Sequence, residues 1–234
     1  MSIDIKSLTI NELTGFLEKM SEKDKESVIQ QYRDYLLGEE FKTKLKSTNG
    51  DALLSLILAL PEKLFVDFIS AHEDVIAEKL SEVSAGSVAK IFEMLPVHLR
   101  KEFNRRFRTH LEQRIRKMTL DEILKMIYNV SPPNRSSLLS PIKPYLMSLE
   151  FSKIILDIEL EKFEEFLSVL PEDIRTSLIK RHKGTILSEE FKEKIRNSSN
   201  EAIVNVLRWF PDNIYKEFID KFKDVLEEKG LKLA

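Results

Sequence analysis

Apolar side chains recur along this chain at helical spacing. Leu13, Phe16, Leu17 and Met20 stand at i, i+3, i+4 and i+7, the set that makes one face of a helix. The set returns as Leu53, Leu56, Ile57 and Leu60; Val88, Ile91, Phe92 and Leu95; and Ile123, Met126, Ile127 and Val130. Two more copies are Phe163, Phe166, Leu167 and Leu170, and Ile203, Val206, Leu207 and Phe210. Four of the six end on proline, at Pro61, Pro96, Pro171 and Pro211; the others end on Ser21 and on Ser131, which is followed by Pro132 and Pro133. With 21, 61, 96, 131, 171 and 211 as reference points the intervals are 40, 35, 35, 40 and 40, so six repeats fill the chain.

A second helix follows each reference point. Seven residues on stand Val28, Phe68, Phe103, Leu138, Leu178 and Phe218; fifteen on stand Leu36, Ile76, Leu111, Leu146, Ile186 and Leu226. Proline suits the first position of such a helix, and the two serines can cap instead. Two octapeptides, GEEFKTKL from Gly38 and SEEFKEKI from Ser188, nearly coincide. With Phe151 and Ile155 in the fourth repeat, they place Phe41, Phe151 and Phe191 twenty residues past their reference points. This predicts a short third helix in the repeats whose interval is 40. Glu40 with Lys44, and Glu190 with Lys194, are expected as i,i+4 ion pairs.

A lone helical hairpin cannot cover its own apolar face, so each repeat must stack on the next. The sequence therefore predicts an all-α fold, an α-solenoid of six helical-hairpin units of period 35 to 40 forming one domain over residues 1–234. The pattern resembles HEAT-like and related helical-repeat families, which implies a curved superhelix that binds other macromolecules. The segments LSVLPEDIRTSLIKR (Leu167 to Arg181) and MLPVHLRKEF (Met94 to Phe103) are also similar to the leucine-proline helical repeats of magnesium-transporter regulatory domains and flagellar rotor switch proteins. That resemblance transfers no metal ligand to a residue of this chain. Pro141 and Pro144 fall inside the second helix of the fourth repeat and predict a bend near Ser140, a static kink or a hinge within 131–145.

Composition narrows the function. With 42% hydrophobic and 32% charged residues, and no apolar run near the roughly 18 to 20 residues that cross a bilayer, the chain reads as soluble and without a transmembrane segment. The start MSIDIKSLT lacks the apolar core of a signal peptide, so the cytoplasm is the expected compartment. The absence of cysteine excludes disulfides, thiol nucleophiles and thiolate metal sites. A net charge of −2 leaves any electrostatic signal local.

Candidate chemistry is sparse. His72 and His182 stand eleven residues past their reference points, where other repeats have Tyr32, Phe107, Ile142 and Phe222, and so read as packing residues. His98 and His110 have no carboxylate at ligand spacing, and the scattered glycines form no phosphate loop. Neither a metal, a cofactor nor an enzymatic activity is expected. One segment stands out: RKEFNRRFRTHLEQRIRK, Arg100 to Lys117, has eight basic and two acidic residues and six of the chain's twelve arginines. At 100° per residue Lys101, Arg105, Arg108 and Arg116 share a stripe opposite Phe103 and Phe107, with Glu112 inside it. The stripe reads as a solvated face, as a contact for an acidic protein, or as a contact for nucleic acid or anionic lipid. The function expected is a non-enzymatic scaffold or adaptor that binds a protein partner on one helical face; a nucleic-acid-binding helical-repeat protein using the same helix is the alternative. Oligomeric state is not legible.

Overall fold

A computed structural model describes residues 4–231. Twenty α-helices and two short 3-10 turns account for most of them, and no strand occurs among the described residues. The fold is all-α, as the 3.6-residue periodicity predicts. Packing gathers the helices into two compact bodies, one ending at Pro141 and the other beginning at Ile142, so the division falls inside the stretch where a bend is predicted.

The first helices of the repeats are Ile10–Glu18, Gly50–Ala59, Ala85–Met94, Leu120–Tyr128, Leu160–Val169 and Asn200–Leu207. Twelve residues before five of the six reference points a short polar side chain starts the helix; in the fifth repeat Glu159 stands there and makes no side-chain cap. Thr9, Asn49, Ser84, Thr119 and Ser199 each accept a hydrogen bond from the amide three residues on, and Thr9 and Thr119 complete capping boxes with Glu12 and Glu122. Each cap contributes roughly 1 kcal/mol. In the N-terminal body Ile10–Glu18 packs on Gly50–Ala59, Gly50–Ala59 on Ala85–Met94, and that on Leu120–Tyr128; in the C-terminal body Leu160–Val169 packs on Asn200–Leu207.

Proline acts one residue earlier than the sequence suggests. Pro61, Pro96, Pro171 and Pro211 are the residues just before the second helices, with extended ψ near 145°. The residue before three of them, Leu60, Leu95 and Leu170, is extended too. Proline sterically drives its predecessor out of the α region, so the pair forms a two-residue extended link that ends one helix and starts the next. Pro132 alone takes the first helical position, in Pro132–Leu139. Ser21 caps its helix through its hydroxyl, whereas Ser131 makes no such cap.

The second helices hold a larger departure. Eleven residues past the reference point the helix breaks at Tyr32, His72, Ile142, His182 and Phe222, all with φ between −95° and −118° and ψ between −5° and 22°. The hydrogen-bond ladder survives the break. The His72 amide donates to the Phe68 carbonyl at 3.1 Å, and the His72 carbonyl accepts from the Ile76 amide at 2.9 Å. A break therefore needs no proline, since it occurs at four sites without one, but in the fourth repeat it is wider: Ser140, Pro141 and Ile142 all lie outside the helices. Pro144 sits at the second position of Lys143–Leu146, where a missing N–H has no helical partner to lose. The exception is the third repeat, where Phe107 stays helical inside the unbroken helix Val97–Arg116.

Core placement follows the columns. Among the residues at seven and fifteen past the reference points, all but Val28 are buried, as are Phe41, Phe151, Phe191, Leu45, Ile155 and Ile195 of the third helices. Phe16 and Val28 are half-buried, and both belong to the first repeat.

The octapeptides serve register more than local charge pairing. Lys44 does not pair with Glu40; its Nζ donates to the Leu8 carbonyl at 2.7 Å and the Lys6 carbonyl at 2.9 Å. Lys194 likewise donates to the carbonyl of Ile158, which holds the position equivalent to Leu8. Partial burial of Lys194 pushes its ammonium pKa down. Lys42 reaches Asp74 of the next repeat at 2.9 Å, and Lys192 reaches Asp224, again in the next repeat, at 2.8 Å.

Buried histidines repeat the logic. Nε2 of His72 lies 2.7 Å from the Leu36 carbonyl and Nε2 of His182 lies 2.6 Å from the Leu146 carbonyl, each tying a break residue to the end of the preceding repeat's second helix. Burial lowers both imidazole pKa values, so both rings are neutral and donate through Nε2. Nδ1 of His182 accepts from the Ser152 hydroxyl at 2.8 Å.

Two outcomes follow. Phe103, fully buried against Phe107, should cost about 3–5 kcal/mol when changed to alanine, read by urea denaturation. For the histidines the sign is set by the lowered native pKa: the unfolded chain takes protons first, so stability is complete above the unfolded value of about 6.5 and declines as pH falls below it. Melting temperature should therefore drop between about pH 7 and pH 5, and this slope should flatten in the His72→Leu, His182→Leu double variant. An equal slope in parent and variant would remove the histidines as its cause.

Candidate partner-binding face

The basic segment forms most of Val97–Arg116, and the fold uses much of its charge internally. Arg100 is buried and donates through Nη1 to the Phe92 carbonyl. Glu102 accepts two bonds from Arg105, at 2.9 and 2.7 Å, and one from Arg106 at 2.6 Å. Those hydrogen bonds from Arg105 and then Arg106 hold the Glu102 carboxyl down at about 2. Arg106 also reaches Glu73 of the preceding repeat at 2.9 Å, and Arg114 donates to the Val83 carbonyl at 2.8 Å. Arg116 pairs with Glu112 at 2.8 Å.

The stripe of Lys101, Arg105, Arg108 and Arg116 is thus divided. Arg105 and Arg116 are held by carboxylates of their own helix. Lys101 and Arg108 are exposed, and among the described residues no hydrogen bond or ion pair holds either. Arginine enrichment in this segment has a largely structural origin. The position of Arg100, four past the reference point, holds Arg175 in the fifth repeat, which donates to the Leu167 carbonyl; that of Arg106 holds Arg181, which donates to the Met147 carbonyl; and that of Arg114 holds Lys229, which donates to the Ser198 carbonyl.

Register explains why Arg108 is left over. Twelve residues past their reference points, Arg33 and Lys183 pair with Asp67 and Glu217, which stand six past the next one. Arg108 holds the same position in the third repeat, but the acid position in the fourth repeat is Ser137. Lys143 meets the same substitution, since the fifth repeat has Ser177 there. Sequence spacing alone missed this because the pairing crosses repeats and becomes visible only once the register is known.

Apolar exposure adjoins the same helix. Met94 and Val97, on either side of the Leu95-Pro96 link, are 63% and 57% exposed, and Tyr128 in the next repeat is 52% exposed. Glu93 beside them is fixed: its carboxylate accepts from the Ser131 amide and hydroxyl, both at 2.9 Å, and from the Asn134 amide at 3.1 Å, bonds that lower its pKa. No group of three or more metal-ligating side chains converges among the described residues, and no helix there is long and apolar enough to cross a membrane.

This division predicts different costs. Lys101→Gln and Arg108→Gln should leave the denaturation midpoint within experimental error, whereas Arg106→Gln and Arg114→Gln should each lower stability by about 1–2 kcal/mol by releasing bonds between repeats. Equal losses in all four variants would erase the distinction between free and structural cations.

Set against known protein families, curated proteins and solved structures, the chain matches none.

Proposed function

We propose that this chain is a non-catalytic α-solenoid scaffold that presents the exposed side of Val97–Arg116 to an acidic protein partner. The observation that carries this reading is the missing carboxylate: Arg33 and Lys183 find Asp67 and Glu217, while Arg108 has no counterpart and Lys101 beside it is also free. Exposed cations without internal partners are available to a second molecule at no cost in native contacts. Met94 and Val97 add uncovered apolar area next to those charges, the combination of anchor and charged rim that protein interfaces use.

Nucleic acid fits this surface less well. Backbone recognition gains affinity by neutralising several phosphates at once, and here five of the segment's eight cations are already held within the fold. The stacking of one-faced hairpins supports the solenoid, since within each compact body the first helices pack on one another.

The test compares capture from native lysate by the parent and by the Lys101→Gln, Arg108→Gln double variant, each with and without nuclease. A protein retained by the parent, lost with the double variant, released by added salt and indifferent to nuclease is the expected result. Capture equal in both, or abolished by nuclease, would overturn the acidic-protein reading, the second outcome in favour of nucleic acid.

A further inference from the structure

We infer that the cavity between Val97–Arg116 and Pro132–Leu139 binds a phosphate-class oxyanion. The cavity has a volume of about 290 Å³, with Arg100, Lys101 and Asn104 on one helix and Ser136, Ser137 and Ser140 at the other. It stands at the low end of ligand-pocket sizes, suited to a small group and not to an extended molecule. The inference rests on this cavity and does not require the acidic-protein reading above.

The first argument is an uncompensated buried charge. Arg100 is only 5% exposed, and its one bond is to a neutral carbonyl, that of Phe92; its Nε is buried without a partner. A guanidinium so placed has lost hydration and gained no hydrogen-bonded counter-ion, since the Glu93 carboxylate whose pKa its charge helps to lower is bonded to Ser131 and Asn134; a bound anion would supply one. The equivalent residue in the fifth repeat shows the contrast. Arg175 also donates to a carbonyl of its own repeat, but its guanidinium lies 4.1 Å from the centre of the Trp209 ring, a favourable cation–π contact that Arg100 lacks.

The second argument compares junctions. A cavity between the first and second repeats is lined by three cations and an acid, Lys23, Arg33, Lys63 and Glu26, and two of the cations are neutralised, Lys63 by Glu26 at 2.8 Å and Arg33 by Asp67. Between the third and fourth repeats Ser137 stands at the position where the second repeat has Asp67, and no acid lines the cavity, so Arg100 and Lys101 share it with hydroxyls. Glu93, whose carboxylate is committed to Ser131 and Asn134, does not line the cavity, and neither does Glu102, which Arg105 and Arg106 hold.

Donor count then selects the ligand. One guanidinium, one ammonium and three hydroxyls offer more donors than the two oxygens of a carboxylate can use, and suit the three or four oxygens of a phosphate. Asn104 fits the same choice. Its Oδ1 is buried without a partner; it can accept from a protonated phosphate oxygen, or a half-turn of the amide presents its NH₂ group to an unprotonated one.

The experiment is calorimetric titration of the full chain with inorganic phosphate, O-phosphoserine and acetate at fixed ionic strength. Phosphate or phosphoserine should bind in the parent, with acetate weaker by about tenfold or more; the stronger of the first two identifies a free ion or a phosphate ester as the natural source. Lys101→Gln, an exposed change, and Ser137→Asp, which places a carboxylate in the cavity, should each weaken phosphate binding by about tenfold while the circular dichroism spectrum stays unchanged. No binding of either phosphate ligand at about 10 mM, affinity unaltered in both variants, or acetate bound as well as phosphate would overturn the proposal. Phosphate binding with no protein capture leaves this site standing and removes only the partner reading; the reverse outcome removes only the site.

Discussion

Everything in this chain depends on one constraint: a hairpin of two short amphipathic helices has more apolar face than it can cover by itself. Leu53, Leu56 and Ile57 are buried because Gly50–Ala59 packs on the first helices of the repeats before and after it. At about 25 cal/mol per Å² of apolar surface removed from water, such contacts supply most of what holds each repeat in place. The helices are eight to ten residues long for the most part, too short to be stable alone. Their stability is tertiary, and it comes from the neighbouring repeat.

Stacking short helices creates a second problem, because every helix end leaves carbonyls and amides without helical partners. The chain meets it by periodic assignment. Amides at the first helices' starts go to the Thr, Asn and Ser caps; carbonyls near repeat boundaries go to Lys44, Lys194, Arg114, Lys229, His72 and His182. Long cations and buried imidazoles reach from one repeat to a carbonyl of another. They fix register, since a shift of one repeat against the next would strand both the donor and the carbonyl it serves.

Periodicity made much of this legible from sequence. The apolar columns marked the core residues because burial in a helix is a property of spacing, and a column of six is hard to produce by chance. The polar roles were hidden for an equally physical reason. Glu40 and Lys44 are neighbours in sequence and stand at ion-pairing distance on any helix, yet Lys44 bonds the Leu8 carbonyl, because an orphan carbonyl in a partly buried place gains more from an ammonium than an exposed carboxylate does. The break at His72 and its equivalents was equally invisible, as Tyr, His, Ile and Phe share no local propensity for the bridge region. The four-residue basic stripe was half legible: angle alone placed its members on one face, but whether a cation is free depends on Glu102 and Glu112, on its own helix, and on acids in the flanking repeats.

The third repeat is where these rules stop applying, and several departures coincide there. Its second helix runs unbroken through Phe107, its Arg100 is buried without an aromatic partner or a hydrogen-bonded acid, and its Arg108 meets Ser137 where Arg33 and Lys183 find a carboxylate. Repetition satisfies most charges in this fold, so a junction that keeps Lys101 and Arg108 while Ser137 replaces an acid is left with positive charge that internal contacts do not fully use. Burial sharpens the point. An exposed lysine without a partner is ordinary, but a buried guanidinium beside a cavity and three hydroxyls carries a desolvation cost that one bond to a neutral carbonyl and the unbonded charge of Glu93 offset only in part. In a fold this regular, that imbalance is the feature by which packing alone fails to account for the sequence.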